Sequence, residues 1–419
     1  LFAARVWRVP RPVPEPDALA RAAAVLSAAR RPLIVAGGGV LYSDAGAALE
    51  SFVEATGIPV AETQAGKGAL PYGHRRAAGP VGVTGSTAAN ALAREADVVL
   101  GIGTRYTDFT TGSRALFTDP GVRFINLNIS GFDAAKLAGM PLVADARAGL
   151  TALGRALSGW SAPGEQATRA AALVRDWDAR VDAGRGGERL TQSQVIGAVN
   201  DAAKPDDVVV CAAGSIPGDL HRQWRAAKLG QYHVEYGYSC MGYEIAGGLG
   251  VKLAKPDAEV FVLVGDGSYL MMAQELVTAV AERVKLVVVL VDNGGFASIG
   301  GLSEVVGGQR FGTAYRFRDP ATGRLDGGEL PVDLAANAAS LGAAVRIARS
   351  LDELRAALAG ARAADGTTVV YVRTELTGDP GPDAGLWWDV PVAEIGSTVD
   401  VEQARTRYAQ AKRAQRHHW

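Results

Sequence analysis

The chain has 419 residues, with 43 Lys and Arg against 44 Asp and Glu and a formal net charge of −1. That length holds two domains of ordinary size, and the charge balance argues against nucleic acid or an acidic membrane surface as the main partner. Two cysteines, Cys211 and Cys240, leave no disulfide framework and no cysteine metal spacing, and no apolar run approaches the roughly 20 residues of a membrane span, so a reducing, cytoplasmic setting is expected.

Val9 to Asp17 carries Pro10, Pro12, Pro14 and Pro16. This predicts an extended, semi-rigid linker over 1–16, which is expected to follow something earlier in a longer protein. Asp17 is expected to cap a helix running to Arg30. Pro32 to Gly39 reads as a strand entering a Gly-rich turn. A dinucleotide fingerprint would need Gly at its sixth position, where Tyr42 stands. A nicotinamide dehydrogenase is disfavoured on that ground. A helix over 44–56, a short strand at 58–61, a helix closing over 91–96, and strands at 97–103 and 122–129 complete the alternation. It predicts a doubly wound α/β domain over 17–160. Residues 161–190 are polar and Ala-rich, with a helix around 166–181, and read as a connector.

A second doubly wound parallel-sheet domain is expected over 191–380. It opens with a helix over 191–203 and the strand Val208-Val209-Val210-Cys211, which ends in Ala212-Ala213-Gly214-Ser215. An aromatic and Gly-rich stretch follows over 232–243. Phe261-Val262-Leu263-Val264 then runs into Gly265-Asp266-Gly267-Ser268, and Leu286 to Val291 runs into Asp292-Asn293-Gly294-Gly295. Such continuous apolar runs suit strands buried on both faces. Met272, Leu276, Val280 and Val284 between them have helical spacing, which predicts one helix over 269–284. The unit therefore reads strand–helix–strand, with right-handed crossover and parallel strands. A Gly-rich excursion over 294–328 follows, then a helix over 332–341, a strand at 343–348, a helix over 351–362 and a strand at 368–372. The tail over 381–419 carries Trp387-Trp388, expected to pack between domains, and a helix over 402–416.

If the two strands are neighbours, Asp266 and Asn293 stand at the same sheet end, on strands roughly 4.8 Å apart. A carboxylate and a carboxamide oxygen so placed suit a small hard cation. Mg²⁺ takes about six oxygens and often several from a phosphate. Gly265 and Gly267 permit close backbone approach to a diphosphate at a helix N-terminus, at the strand ends where open α/β sheets bind ligands.

Gly-Asp-Gly followed about two dozen residues later by Asp-Asn resembles the thiamin-diphosphate fingerprint, with Asp292 replacing its first Asn. The first domain is similar to the central domain of acetolactate-synthase-like enzymes, and the second to their diphosphate-binding domain. Ala61-Glu62-Thr63-Gln64-Ala65-Gly66-Lys67-Gly68, Glu235-Tyr236-Gly237-Tyr238-Ser239-Cys240-Met241-Gly242-Tyr243-Glu244, Asp292 to Ile299 and Trp387-Trp388-Asp389-Val390-Pro391 resemble the trihydroxycyclohexane-dione hydrolase family of myo-inositol breakdown. The resemblance implies thiamin diphosphate and Mg²⁺ as cofactors and a cyclic dione as small-molecule substrate, opened to 5-deoxy-glucuronate. It implies a homodimer or homotetramer. It places Asp266, Asn293 and the Gly295 carbonyl on the metal. It places Gly214, Ser215, Gly265, Gly267, Ser268 and Phe296 with them at the cofactor, and makes Met241 the wedge that bends it.

The resemblance also implies a Glu that hydrogen-bonds N1′ of the aminopyrimidine from an N-terminal pyrimidine-binding domain. No residue here is nominated for that role, so no catalytic residue is assigned and the chain alone is expected to be inactive. A flavin-holding carboligase and a non-catalytic subunit of a split enzyme are the alternatives. His221 and His233 flank the cofactor loop and are expected to be structural, with contact to substrate or diphosphate as the alternative. Ser239 in Gly237-Tyr238-Ser239-Cys240-Met241 mimics a nucleophile elbow whose closing Gly is missing. Lys67 is expected either at solvent or facing a partner at the active site.

Overall fold

Two six-stranded sheets, each wholly parallel, carry the chain. The computed structural model describes residues 6–187, 189–375, 386–396 and 398–417. The first sheet holds β1 (Pro32–Ala36), β2 (Val60–Glu62), β3 (Ala77–Pro80), β4 (Val98–Ile102), β5 (Arg123–Asn128) and β6 (Met140–Val143), in the order β3-β2-β1-β4-β5-β6. The second holds β7 (Val208–Cys211), β8 (Tyr232–Val234), β9 (Val260–Gly265), β10 (Val287–Asp292), β11 (Ala344–Ala348) and β12 (Thr368–Arg373), in the order β11-β12-β10-β9-β7-β8.

The apolar runs become β9 and β10 because both sheet faces are covered. Phe261, Leu263, Val287, Val289 and Val291 point to one side, where Val195, Val199, Leu354 and Leu358 pack. Val260, Val262, Val264, Val288 and Leu290 point to the other, against Ile245, Leu249, Leu276 and Ala279. Each such side chain contributes about 1.5–3 kcal/mol on burial. Truncating the fully buried Phe261 to Ala would cost about 3–5 kcal/mol. β9 and β10 pair in parallel with Val291 opposite Gly265, as the strand–helix–strand reading expected.

From β7 the chain moves outward to β8, then returns to β9 on the other side of β7. The strand order therefore reverses between β7 and β9. In open sheets the crevice at such a reversal is where ligands bind.

Several local expectations change. Glu15, not Asp17, caps the first helix, Pro16–Ser27. Its carboxylate accepts the Asp17 and Ala18 N–H groups, because Pro16 fills the first helical position. The single helix expected over 269–284 is two, Asp266–Met272 and Glu275–Ala281. The first begins three residues early, with the Asp266 carboxylate in its first turn, where the helix dipole favours an anion. Tight turns from Ala273 to Leu276 and from Gln274 to Val277 then re-aim the chain. Leu276 and Ala279 are buried as a result, while Met272 and Val280 are left partly exposed. The stretch over 161–190 carries the helix expected there, somewhat longer than 166–181. Its helix Gly164–Gly184 sets Trp177 and Val181 against Ala88. Arg11 ties the Pro-rich entry to Ser43 and Asp145. The boundary expected at 380 lies outside the described residues.

The two sheets meet through polar contacts. Gln64 Nε2 donates to the Pro217 carbonyl at 2.8 Å, and Tyr232 donates its hydroxyl to Gln64 Oε1 at 2.7 Å. The tail crosses back as well. Trp388 packs on Phe109, and Gln415 donates to the Ser113 carbonyl.

Candidate functional site

The site is built where β7, β9 and β10 end. After β9, Asp266 is 1% exposed and its carboxylate is gripped by backbone. Oδ1 accepts the Gly267 N–H at 2.8 Å, and Oδ2 accepts those of Gly294 and Gly295, both at 2.8 Å. Asp266 therefore reaches into the turn that follows β10. Asn293 sits in that turn with its Oδ1 buried and unpartnered. A buried acceptor left without a donor is costly, and here it belongs to the turn whose backbone grips Asp266.

Asp292 adds a second negative charge. It is 2% exposed, and Gly294 N–H, Tyr371 and Arg373 hold it at 2.9, 2.5 and 3.2 Å. Burial, then the Asp292 carboxyl, pushes Asp266 up to about 7. The Asp266 carboxylate and the orphaned Asn293 amide oxygen make a donor set that a hard divalent cation would satisfy. Among the described residues no group of three or more His, Cys, Asp or Glu can hold a metal. The residues fit the expected Mg²⁺.

The remaining expected residues surround this centre. Gly214 has φ +87°, a left-handed turn that favours glycine. Ser215 precedes the helix Ile216–Gln223, and its hydroxyl donates to Gln192 Oε1 at 3.1 Å. A Cβ on Gly265 would meet only Ile216, at 3.9 Å, leaving open space at the crevice. A Cβ on Gly267 would lie 2.6 Å from the Phe296 ring and 3.5 Å from the Met241 methyl, so these three meet at one point. Gly295 lies against the Thr313 carbonyl, which a Cβ would approach to 2.2 Å. The Ser268 hydroxyl is engaged inside the fold, donating to Glu244 Oε2 and accepting the Gly242 N–H, both at 2.7 Å.

Other candidates resolve into structure. His221 is buried between Thr84 and the Glu62 carbonyl, and His233 pairs with the Tyr243 hydroxyl at 2.7 Å. Lys67 is neither at solvent nor facing outward. It is buried and bonds Glu62 at 2.8 Å within its own loop. Ser239 has φ +55° like an elbow serine, yet its hydroxyl donates to the Ala212 carbonyl. In the first domain, Gly37 and Gly39 spend their N–H groups on the Ile102 and Gly103 carbonyls. That removes them as donors to a dinucleotide phosphate. A cavity of about 660 Å³ lies on the other side of β10, lined by Arg189, Asn293, Tyr315, Arg373 and Glu375 among others. It shares Asn293 with the site but not Gly214, Met241 or Asp266, so the strand-order reversal rather than cavity size marks the centre.

Two groups had no assigned role in the sequence reading: Glu244, and the Tyr371–Arg373 pair on β12 that steadies Asp292. A lone acid opening the small-residue helix Tyr243–Ala254 was the available signal for Glu244.

Fold and site together define a thiamin-diphosphate enzyme. Residues 19–153 match the family described as thiamine pyrophosphate enzyme, central domain, and residues 212–372 match the C-terminal TPP binding domain. Enzymes of this kind hold the cofactor with Mg²⁺. More narrowly, the chain is 40% identical over 431 residues to a 3D-(3,5/4)-trihydroxycyclohexane-1,2-dione hydrolase of Bacillus anthracis (strain CDC 684 / NRRL 3495). The match covers 96% of this chain and 67% of that protein. A hydrolase of the same name from Geobacillus thermodenitrificans (strain NG80-2) is also 40% identical, over 96% of this chain and 66% of its own length. The chain belongs to this hydrolase family.

Proposed function

We propose that this chain supplies the cofactor-holding part of an enzyme that hydrolyses a C–C bond of trihydroxycyclohexane-1,2-dione, giving 5-deoxy-glucuronate in inositol breakdown. The observation that carries the reading is Asp266 reaching the turn of Asn293, whose side-chain oxygen is buried without a partner. In this reading Asp266, Asn293 and the Gly295 carbonyl hold Mg²⁺. Gly214, Ser215, Gly265, Gly267 and the Ser268 backbone take the diphosphate, and Met241 with Phe296 supports the rings. Thiamin diphosphate supplies an electron sink at the attacked carbonyl carbon. The bond between the two carbonyl carbons breaks. The hydroxyl of water goes to one carbon as a carboxylic acid and hydrogen goes to the other as an aldehyde, so no outside oxidant is needed.

The acid that must hydrogen-bond N1′ is not among the residues assigned here, and we place it on a pyrimidine-binding domain. Exposed apolar side chains near Met241 support a docking face for it: Tyr238 and Met271 are 92% and 55% exposed. The division into units over 17–160 and 191–380, a homo-oligomer and a cytoplasmic setting belong to the same reading. Among the described residues no helix is long and apolar enough to cross a membrane.

The test is calorimetric titration of thiamin diphosphate into the chain, with and without Mg²⁺, for wild type and Asn293→Ala. Metal-dependent binding that the substitution weakens is expected. Metal-independent binding, indifferent to Asn293, would overturn the site. Opening of the dione by this chain alone, abolished in Asp266→Ala, would remove the need for a pyrimidine-binding domain.

A further inference from the structure

Glu244 is 1% exposed, and none of the described ion pairs gives it a cationic partner. Burying a carboxyl without a counter-charge is unfavourable unless hydrogen bonds compensate, and burial raises its pKa accordingly. Two bonds compensate directly, and a third contact extends them through Ser268. Oε1 accepts the Ala213 N–H at 3.2 Å, from the turn after β7. Oε2 accepts the Ser268 hydroxyl at 2.7 Å, from the first turn of the helix that opens directly after β9. The same hydroxyl accepts the Gly242 N–H at 2.7 Å, from the loop that carries Met241. Ala213 and Gly242 are each next to a residue of the expected cradle, Gly214 and Met241. Gly214 and Gly242 themselves hold left-handed turns, at φ +87° and +90°, which glycine adopts without steric strain.

We infer that Glu244 is the positioning residue of the cofactor cradle, fastening its three loops in one geometry through Ala213, Ser268 and Gly242 without itself touching the cofactor. This rests on the reading that those loops hold thiamin diphosphate. An apolar side chain of similar size would fill the space and leave the loops unfastened. Groups that orient ligand-holding residues in this way typically govern affinity by ~10–100-fold.

The experiment uses the whole chain and the variants Glu244→Leu, Glu244→Gln and Ser268→Ala. Deuterium exchange is followed in the apoprotein over 212–216, 235–245 and 266–270, and affinity for thiamin diphosphate with Mg²⁺ is measured by calorimetry. Glu244→Leu should quicken exchange in all three loops together and weaken binding by ~10–100-fold. Glu244→Gln keeps an oxygen for Ala213 and offers an N–H to Ser268, so it should restore most of the affinity, which a purely space-filling role would not predict. Ser268→Ala should weaken binding too, and adding Glu244→Leu to it should cost less than the product of the two, because both cut one network. Glu244→Leu with wild-type exchange and affinity would overturn the inference. If that variant does not fold, unchanged binding by Ser268→Ala overturns it instead. A wild type that binds no thiamin diphosphate would refute the cofactor reading, while the exchange data would still decide whether Glu244 fastens the loops.

Discussion

His221 Nδ1 lies 2.9 Å from Thr84 Oγ1, joining the helix after β7 to the loop after β3. Its Nε2 faces the Glu62 carbonyl at 3.2 Å, again in the first domain. A neutral imidazole serves both contacts, donating to the carbonyl and accepting the hydroxyl. Burial, with Lys67 and Arg222 nearby, holds its pKa well below the ordinary histidine value.

The sign of the pH effect follows. Below the ordinary value of about 6.5 the unfolded chain takes up a proton at this histidine and the folded chain does not. Stability is therefore fully present above about pH 7 and falls as the pH drops, by at most about 1.4 kcal/mol per pH unit. His233 is lowered in the same direction, so the informative quantity is a difference. His221→Gln should flatten the loss of stability between pH 7 and pH 5.5 relative to wild type, measured by urea unfolding. An unchanged slope would mean that His221 protonates freely in the folded protein.

Asn293→Ala should have opposite effects on the free and the loaded protein. It removes a buried oxygen that has no donor, so the apoprotein should be as stable as wild type or more so, by up to about 1 kcal/mol. Stabilisation by thiamin diphosphate with Mg²⁺ should shrink, because ligand binding raises stability with the logarithm of ligand concentration over Kd. Melting curves with and without the ligands check both halves. A variant destabilised in the free state would show that Asn293 serves the fold instead.

Gly267→Ala should cost about 1–3 kcal/mol through overpacking, since the new methyl would lie 2.6 Å from the Phe296 ring. Trimming that ring in a Gly267→Ala, Phe296→Leu double variant should recover part of the loss, as neighbours in contact are not additive. Equal losses in the single and double variants would place the strain in the backbone.

The cofactor end of the second domain was legible because its chemistry lies in sequence-local units. β9 and β10 each announce themselves as an apolar run closing on small and oxygen-bearing residues, and their pairing follows from crossover handedness. β3, β6 and β8 were missed for a physical reason. They are four, four and three residues long, contain Gly, Pro or His, and owe their strand form to a neighbour already in place. Lys67 was misjudged because its partner, Glu62, becomes a neighbour only when the short turn Gln64–Gly66 folds the loop back. Glu244 escaped assignment because its two partners, Ala213 and Ser268, lie 31 and 24 residues away in the chain, and no spacing encodes such a meeting.

The two cysteines should differ sharply towards a thiol reagent. Reactivity follows thiolate content and access. Cys211 is buried on β7, and burial pushes its thiol up to about 12. Cys240 is exposed in the loop that carries Met241, where its own N–H is held by Glu235 Oε2 at 2.7 Å. The native chain should therefore release one equivalent of chromophore from a disulfide reagent quickly, and the second only on unfolding. Because Cys240 adjoins Met241, thiamin diphosphate with Mg²⁺ should slow the fast phase, and Cys240→Ser should abolish it. Two fast equivalents in the native protein would mean that β7 is open to solvent and that the strand-order crevice is not formed as described. A fast phase indifferent to saturating cofactor would separate the Cys240 loop from the cofactor cradle.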